Sequence, residues 1–201
     1  MKHLFSLSLL LFFLLCTGNI DAKSRHILVR TPGTLPELVG ERQKNKLIGL
    51  SVEGALNGTD LRFLREMAGS DYHQRPTEGR LRTLDLSRAT FTPGGEAYVY
   101  KDEKQSIEGG ALTLPPFAFR SCSLEQVVLP ERMDTIGIGA FEYSALRSIR
   151  IPEQSVVMGW AFNRCDNLVQ VEFPQHLVEL GQNCFRDCGS LRTLQMHDVE
   201  F

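Results

Sequence analysis

The side chains best able to do chemistry are scattered along this chain. His26, His73, His176 and His197 form no i, i+4 pair and no His-Glu-x-x-His string, the spacing that sets two imidazoles and a general base around zinc. No serine lies in a Gly-x-Ser-x-Gly elbow. Gly137-Ile138-Gly139 lacks the third glycine of a dinucleotide-binding turn. Asn57-Gly58-Thr59 matches a glycosylation sequon, but Asn-Gly is also a tight-turn signal, and the turn reading is the simpler one. Carboxylates are abundant without clustering. No catalytic, cofactor-binding or metal site is therefore expected, no cofactor is implied, and the chain does not read as an enzyme.

The cysteines are the remaining candidates. Cys122, Cys165 and Cys188 fall at one point of successive repeats, with Ser144 in the slot between them. Recurrence of a small residue points to a buried thiol ladder, because free Cys packs as a small hydrophobe. A Cys184–Cys188 or Cys165–Cys188 bridge is the alternative. Paired Cys-x-x-Cys spacing for zinc is missing.

What must position any functional surface is the repeat itself, with a period near 22 residues. The string Leu-x-x-apolar-x-apolar occurs at Leu124–Val127–Leu129, Leu146–Ile149–Ile151, Leu168–Val171–Phe173 and Leu191–Leu194–Met196. Pro130, Pro152 and Pro174 follow three of the copies. Alternating apolar and polar positions predict a short strand, and copies in this register predict parallel neighbours. Each copy opens on an apolar residue (Leu114, Ile136, Met158, Leu180), usually followed by Gly. A pair then follows: Ala118-Phe119, Ala140-Phe141, Ala161-Phe162 or Cys184-Phe185. One repeat thus predicts a turn, a short helical stretch, a second turn and a strand, with the four Phe stacked as a spine. The fold class is α/β repeat: a leucine-rich repeat solenoid with one parallel β-sheet face and short helices or turns on the other.

Residues 1–22 read as a signal peptide, a basic start followed by an apolar run too short to span a bilayer. Lipidation at Cys16 competes with this, but Leu15 is a poor residue before a lipidated cysteine. Residues 23–80 read as an N-terminal capping region with an irregular first repeat. A strand is expected at 26–30, a capping box at Thr34 and Glu37 opening a helix over Leu35–Val39, and a further string at Leu47–Leu50–Val52. A second helix is expected with Thr59 or Asp60 as its cap, Leu61, Leu64 and Ala68 on its buried side and Gly69 at its end. Residues 81–201 carry the repeats from Leu81–Leu84–Leu86 onward, with an inserted loop at 87–112 that is either part of a binding face or a tolerated excursion. Net charge is −2. No basic stripe for nucleic acid is present, and no second apolar run is long enough for a transmembrane span.

The outward side of the strands is the candidate binding face. Its columns read Gln126, Ser148, Gln170, Thr193 and Val128, Arg150, Glu172, Gln195. Arg150 and Glu172 are expected to pair. A solvated sheet face is the bland reading. Trp160, in a slot held by Gly139 one repeat earlier, serves either packing or surface anchoring.

The pattern apolar-Gly-x-x-Ala-Phe-x-x-Cys-x-x-Leu-x-x-apolar-x-apolar-Pro, carried by Ile136–Pro152, Met158–Pro174 and Leu180–Met196, closely resembles the BspA-like leucine-rich repeat family of secreted and surface proteins, common in Bacteroidetes. Leu114–Pro130 fits it with Pro115 in the glycine position. The stretch from Leu56 to Arg65 and Leu84-Asp85-Leu86-Ser87 resemble the leader region of such proteins. The resemblance implies export to the cell surface, the periplasm or the medium, and an adhesion or binding role. The expected partner is a protein, from host matrix or a bacterial surface. Glycan or nutrient capture at the cell surface is the alternative.

Overall fold

A computed structural model describes residues 24–195. The expected signal peptide, Met196 and His197 lie outside them. The chain runs β1 (Ser24–Val29), α1 (Leu35–Val39), α2 (Glu41–Lys44), β2 (Gly49–Leu56), α3 (Gly58–Met67) and β3 (Thr83–Phe91). The β4–β5 hairpin (Val99–Lys101, Glu103–Gln105) follows. Short strands then alternate: β6 (Thr113–Leu114), β7 (Gln126–Val128), β8 (Thr135–Ile136), β9 (Ser148–Arg150), β10 (Val156–Val157), β11 (Gln170–Glu172), β12 (Glu179–Leu180) and β13 (Thr193–Gln195).

Two parallel sheets result. One has seven strands in chain order, β1-β2-β3-β7-β9-β11-β13; the other has four, β12-β10-β8-β6. In the strand strings from Leu47 to Phe173 the Leu and its two apolar partners turn inward. Leu146, Ile149 and Ile151 are buried, as are Leu168, Val171 and Phe173. In the second ladder Leu114 pairs with Ile136, Ile136 with Val157 and Val157 with Leu180. Val157, rather than Met158, is therefore the third member. The repeat is one residue shorter there, which also explains why Ala161 follows Ala140 by 21 positions instead of 22.

The Ala-Phe segments are turns, not the short helices the repeat pattern suggested; among the described residues every helix lies before Ala68. The residue before each pair (Phe117, Gly139, Trp160, Asn183) and the residue two after its Phe (Ser121, Tyr143, Arg164, Asp187) have φ between 54° and 62°. Left-handed residues at both ends leave no room for a second helical turn. The Phe amides instead bond between coils: Phe119 N–H to Ala140 O at 2.7 Å, Phe141 to Ala161 at 2.8 Å and Phe162 to Cys184 at 2.9 Å. Coils approach so closely that a Cβ on Gly137 would sit 2.7 Å from Leu114 O. That contact, not positive φ, is why glycine follows Ile136.

The aromatic spine forms as the spacing predicts. Ring centroids lie 5.7 Å apart for Phe119–Phe141, 5.4 Å for Phe141–Phe162 and 5.3 Å for Phe162–Phe185. The first three rings are fully buried. Leu180 and Leu194, in the last described coil, are 46% and 51% exposed, although the residues they align with are buried.

The N-terminal part is built from single contacts. Asn57, not Thr59 or Asp60, is the N-cap of α3. Its carboxamide accepts from the Thr59 and Asp60 amides at 3.0 and 3.4 Å, and the Asp60 side chain accepts from Asn57 N–H. Asp60 is fully buried and also accepts from Gly33 N–H at 2.6 Å and Leu35 N–H at 2.9 Å. It thereby supplies the acceptor at the start of α1. The expected capping box at Thr34 does not form, because the Thr34 hydroxyl donates to Thr31 O instead. Leu61, Leu64 and Ala68 are buried as predicted, and Gly69 follows the helix with φ 90°.

Two buried side chains join this part to the first repeat. Arg65 donates through Nη1 to Phe117 O at 3.0 Å and Ala118 O at 3.1 Å, and the Tyr98 hydroxyl donates to Pro116 O at 2.6 Å. In the following coils the matching carbonyls of Ala140 and Ile138 accept amide protons from Phe119 and Phe117 of the coil before. The first coil has no such coil before it. Arg65 and Tyr98 provide the missing donors.

Candidate binding surfaces

The eight candidate residues all fall on β7, β9, β11 and β13. Register pairs Gln126 with Ser148, Ser148 with Gln170 and Gln170 with Thr193. The second column pairs Arg150 with Glu172 and Glu172 with Gln195, while Val128 sits opposite Asp85 of β3. On β7, β9 and β11 each inward neighbour (Val127, Ile149, Val171) is buried, so the columns share the outer face of these strands. Arg150 Nε lies 3.5 Å from a Glu172 carboxylate oxygen. Arg150 is largely exposed and Glu172 half-buried, and a pair so open to solvent contributes under about 1 kcal/mol.

Both columns extend further than the four regular strings. Ser24, Gly49 and Thr83 continue the first towards the N-terminal end; His26, Ser51 and Asp85 continue the second. His26 Nδ1 is 3.3 Å from Ser51 Oγ, and Ser51 donates to Asp85 at 3.1 Å. The signal for these was present, since Gly49 and Ser51, like Thr83 and Asp85, hold the third and fifth places of the strings at Leu47 and Leu81.

On the turn side, Tyr143 is flanked by Arg120 and Arg164, whose guanidinium carbons lie 5.2 and 5.6 Å from its ring centroid. Arg186 lies 5.8 Å from the Trp160 ring. Trp160 is half-buried, so it packs and is exposed at once. Beneath, Arg120 Nε donates to Glu142 at 2.6 Å and Asn163 Nδ2 donates to the same carboxylate at 2.9 Å.

Cys122, Cys165 and Cys184 are buried, whereas Cys188, in the last slot, is half-buried. Cys165 Sγ is 3.1 Å from Phe141 O and 3.3 Å from Ser144 Oγ; Cys188 Sγ is 3.1 Å from Phe162 O. All four described cysteines are free. Burial pushes Cys165 up to about 12, opposed by the Ser144 hydrogen bond, and Cys122 up to about 11, opposed by Arg65. Burial likewise raises Cys184 to about 11. Thiols held neutral in this way are poor nucleophiles and poor metal ligands. Among the described residues no group of three or more His, Cys, Asp or Glu is placed to hold a metal ion, and no helix is long and apolar enough to cross a membrane.

Residues 103–200 match the model of the BspA type leucine rich repeat region, in six copies. This stretch is a BspA-type leucine-rich repeat region. The match takes in the coils from β6 to β13 and begins within the hairpin. A leucine rich cell surface protein of Faecalibacterium prausnitzii A2-165 is similar in structure at 12% identity, with a TM-score of 0.39 over 78% of this chain. This chain spans 65% of that protein's length. Among curated proteins none matches. The matched stretch contains β7, β9, β11 and β13 of the long sheet and all four strands of the short one, while β1, β2 and β3 lie before it.

Proposed function

We propose that this protein is an exported, non-catalytic leucine-rich repeat solenoid that binds a protein partner, from host matrix or a bacterial surface, through the outer face of its long sheet. Residues 1–22 direct export and residues 23–80 cap the stack. One observation carries the reading: two mainly polar columns, interrupted only by Gly49 and Val128, run across the seven strands. At about 4.8 Å per strand the face is about 30 Å wide, the scale of a standard protein interface rather than of a small-molecule cleft. Its side chains are mixed in charge and contain no Phe, Tyr or Trp, which favours a polar protein surface over a stacked sugar.

Matrix-protein and bacterial-surface-protein arrays probed with the purified exported protein test this. At least one protein should bind, and Arg150→Glu should weaken that binding tenfold or more, while Tyr143→Ala on the turn side leaves it unchanged. Absence of binding, or equal losses from both variants, would remove the strand face as the site.

A further inference from the structure

Outside the repeats, three aromatic rings gather on the surface beside α3. Tyr72 and His73 lie 4.8 Å apart edge to face, and Tyr100 lies 6.3 Å from each. Tyr72 and His73, with Arg62, Glu96, Ala97 and Lys104, line a surface cleft of about 490 Å³ between α3 and the β4–β5 hairpin, and Tyr100 stands beside these two rings. That volume is within the range of roughly 300–1,000 Å³ common for small-ligand sites. Tyr100 and Lys104 are directly opposed across the hairpin, so both leave the same face of it.

The backbone around the cleft is tied down. Tyr100 N–H donates to Tyr72 O at 2.8 Å, and Gln74 Nε2 donates to Tyr100 O at 2.7 Å. Asp71 accepts from Arg75 N–H and Nε, both at 2.8 Å, closing the loop that carries Tyr72 and His73. Glu96 N–H donates to Thr59 Oγ1 at 3.0 Å, while Tyr98, Val99 and Ile107 are buried and anchor the hairpin. Core packing does not require Tyr100, which is 45% exposed. At the mouth, Arg62 Nη1 donates to Glu96 Oε2 at 2.8 Å, and the Arg62 guanidinium lies 4.9 Å from the Tyr72 ring centroid.

We propose that this cleft binds an oligosaccharide. A pyranose offers a C–H face that packs on an aromatic ring and hydroxyls that donate and accept at once. The cleft and its edge supply matching parts: Tyr100, beside the cleft, as the exposed ring, Arg62 and Lys104 as donors, Glu96 as acceptor. The Arg62–Glu96 pair neutralises itself, so hydroxyl recognition does not depend on an acidic sugar. The site is separate from the strand face and does not rest on it.

Calorimetric titration of the purified exported protein with cellohexaose, mannohexaose, xylohexaose and tetragalacturonate tests the proposal. Saturable binding of at least one is expected. Tyr100→Ala should weaken it about three- to tenfold, the usual contribution of one aromatic contact, and Glu96→Gln should also weaken it. Arg150→Glu, on the strand face, should leave it unchanged. No saturable binding by any of the four, or binding that neither Tyr100→Ala nor Glu96→Gln alters, overturns the proposal.

Discussion

Between Leu114 and Phe185 one set of contacts recurs coil after coil, whereas between Ser24 and Tyr98 hardly any contact occurs twice. In the repeats a Phe ring stacks on the next Phe, a Phe amide reaches the next coil's carbonyl, and a thiol or hydroxyl fills one small slot. In the N-terminal part the corresponding work falls to individual polar side chains. Asp60 holds the starts of two helices, and buried Arg65 and Tyr98 end the inter-coil ladder. A repeated element distributes each contact over two neighbours. The first coil needs something chemically different, because its carbonyls face a helix and a hairpin instead of another coil. The inserted hairpin therefore has a structural task, since it carries Tyr98.

Breaking the interior of the stack should cost most. Phe141 is fully buried and stacked on both sides, so Phe141→Ala is expected to destabilise by roughly 3–5 kcal/mol in urea unfolding. A loss below 1 kcal/mol would contradict the stacked register. Breaking the end should cost less: Tyr98→Phe keeps the ring and leaves only Pro116 O without its donor, an expected loss of about 1–2 kcal/mol. If Tyr98→Phe is neutral, the hydroxyl is not standing in for a coil amide.

Much of the repeated part was legible in the sequence because each position is written several times. The strand strings, the Phe spine and the small-residue slot all follow from register alone. Repetition also misled: an assumed constant period aligned Met158 with Ile136, where the chain has shed a residue and placed Val157 there. The left-handed turns were hidden because Tyr143, Trp160 and Arg164 are not residues that announce positive φ. Single contacts were illegible for a different reason. Arg65 meets Ala118 across 53 residues and Tyr72 meets Tyr100 across 28, and no second copy exists to reveal either spacing. The outward columns were only half read, although the strings at Leu47 and Leu81 already held the rest.

The smallest expected effect separates the two regions by pH. The repeat slots bury neutral thiols, so Cys165 is raised to about 12 from an ordinary value of 9.0. Below pH 9 the thiol is protonated in folded and unfolded chain alike, and its stabilising contribution is complete. Between pH 9 and about 12 the unfolded chain releases this proton and the folded chain retains it. Stability therefore falls as pH rises, by about 1 kcal/mol for one such thiol over the first pH unit above 9. Cys122 and Cys184, raised to about 11, steepen the same limb. Cys165→Ala should make the decline between pH 9 and pH 10 shallower by about 1 kcal/mol, whatever it costs at neutral pH. Measuring that slope, rather than the absolute stability, isolates the thiol from the packing it shares with Ser144 and Phe141. An unchanged slope would mean that the repeats open to water at this slot before they unfold.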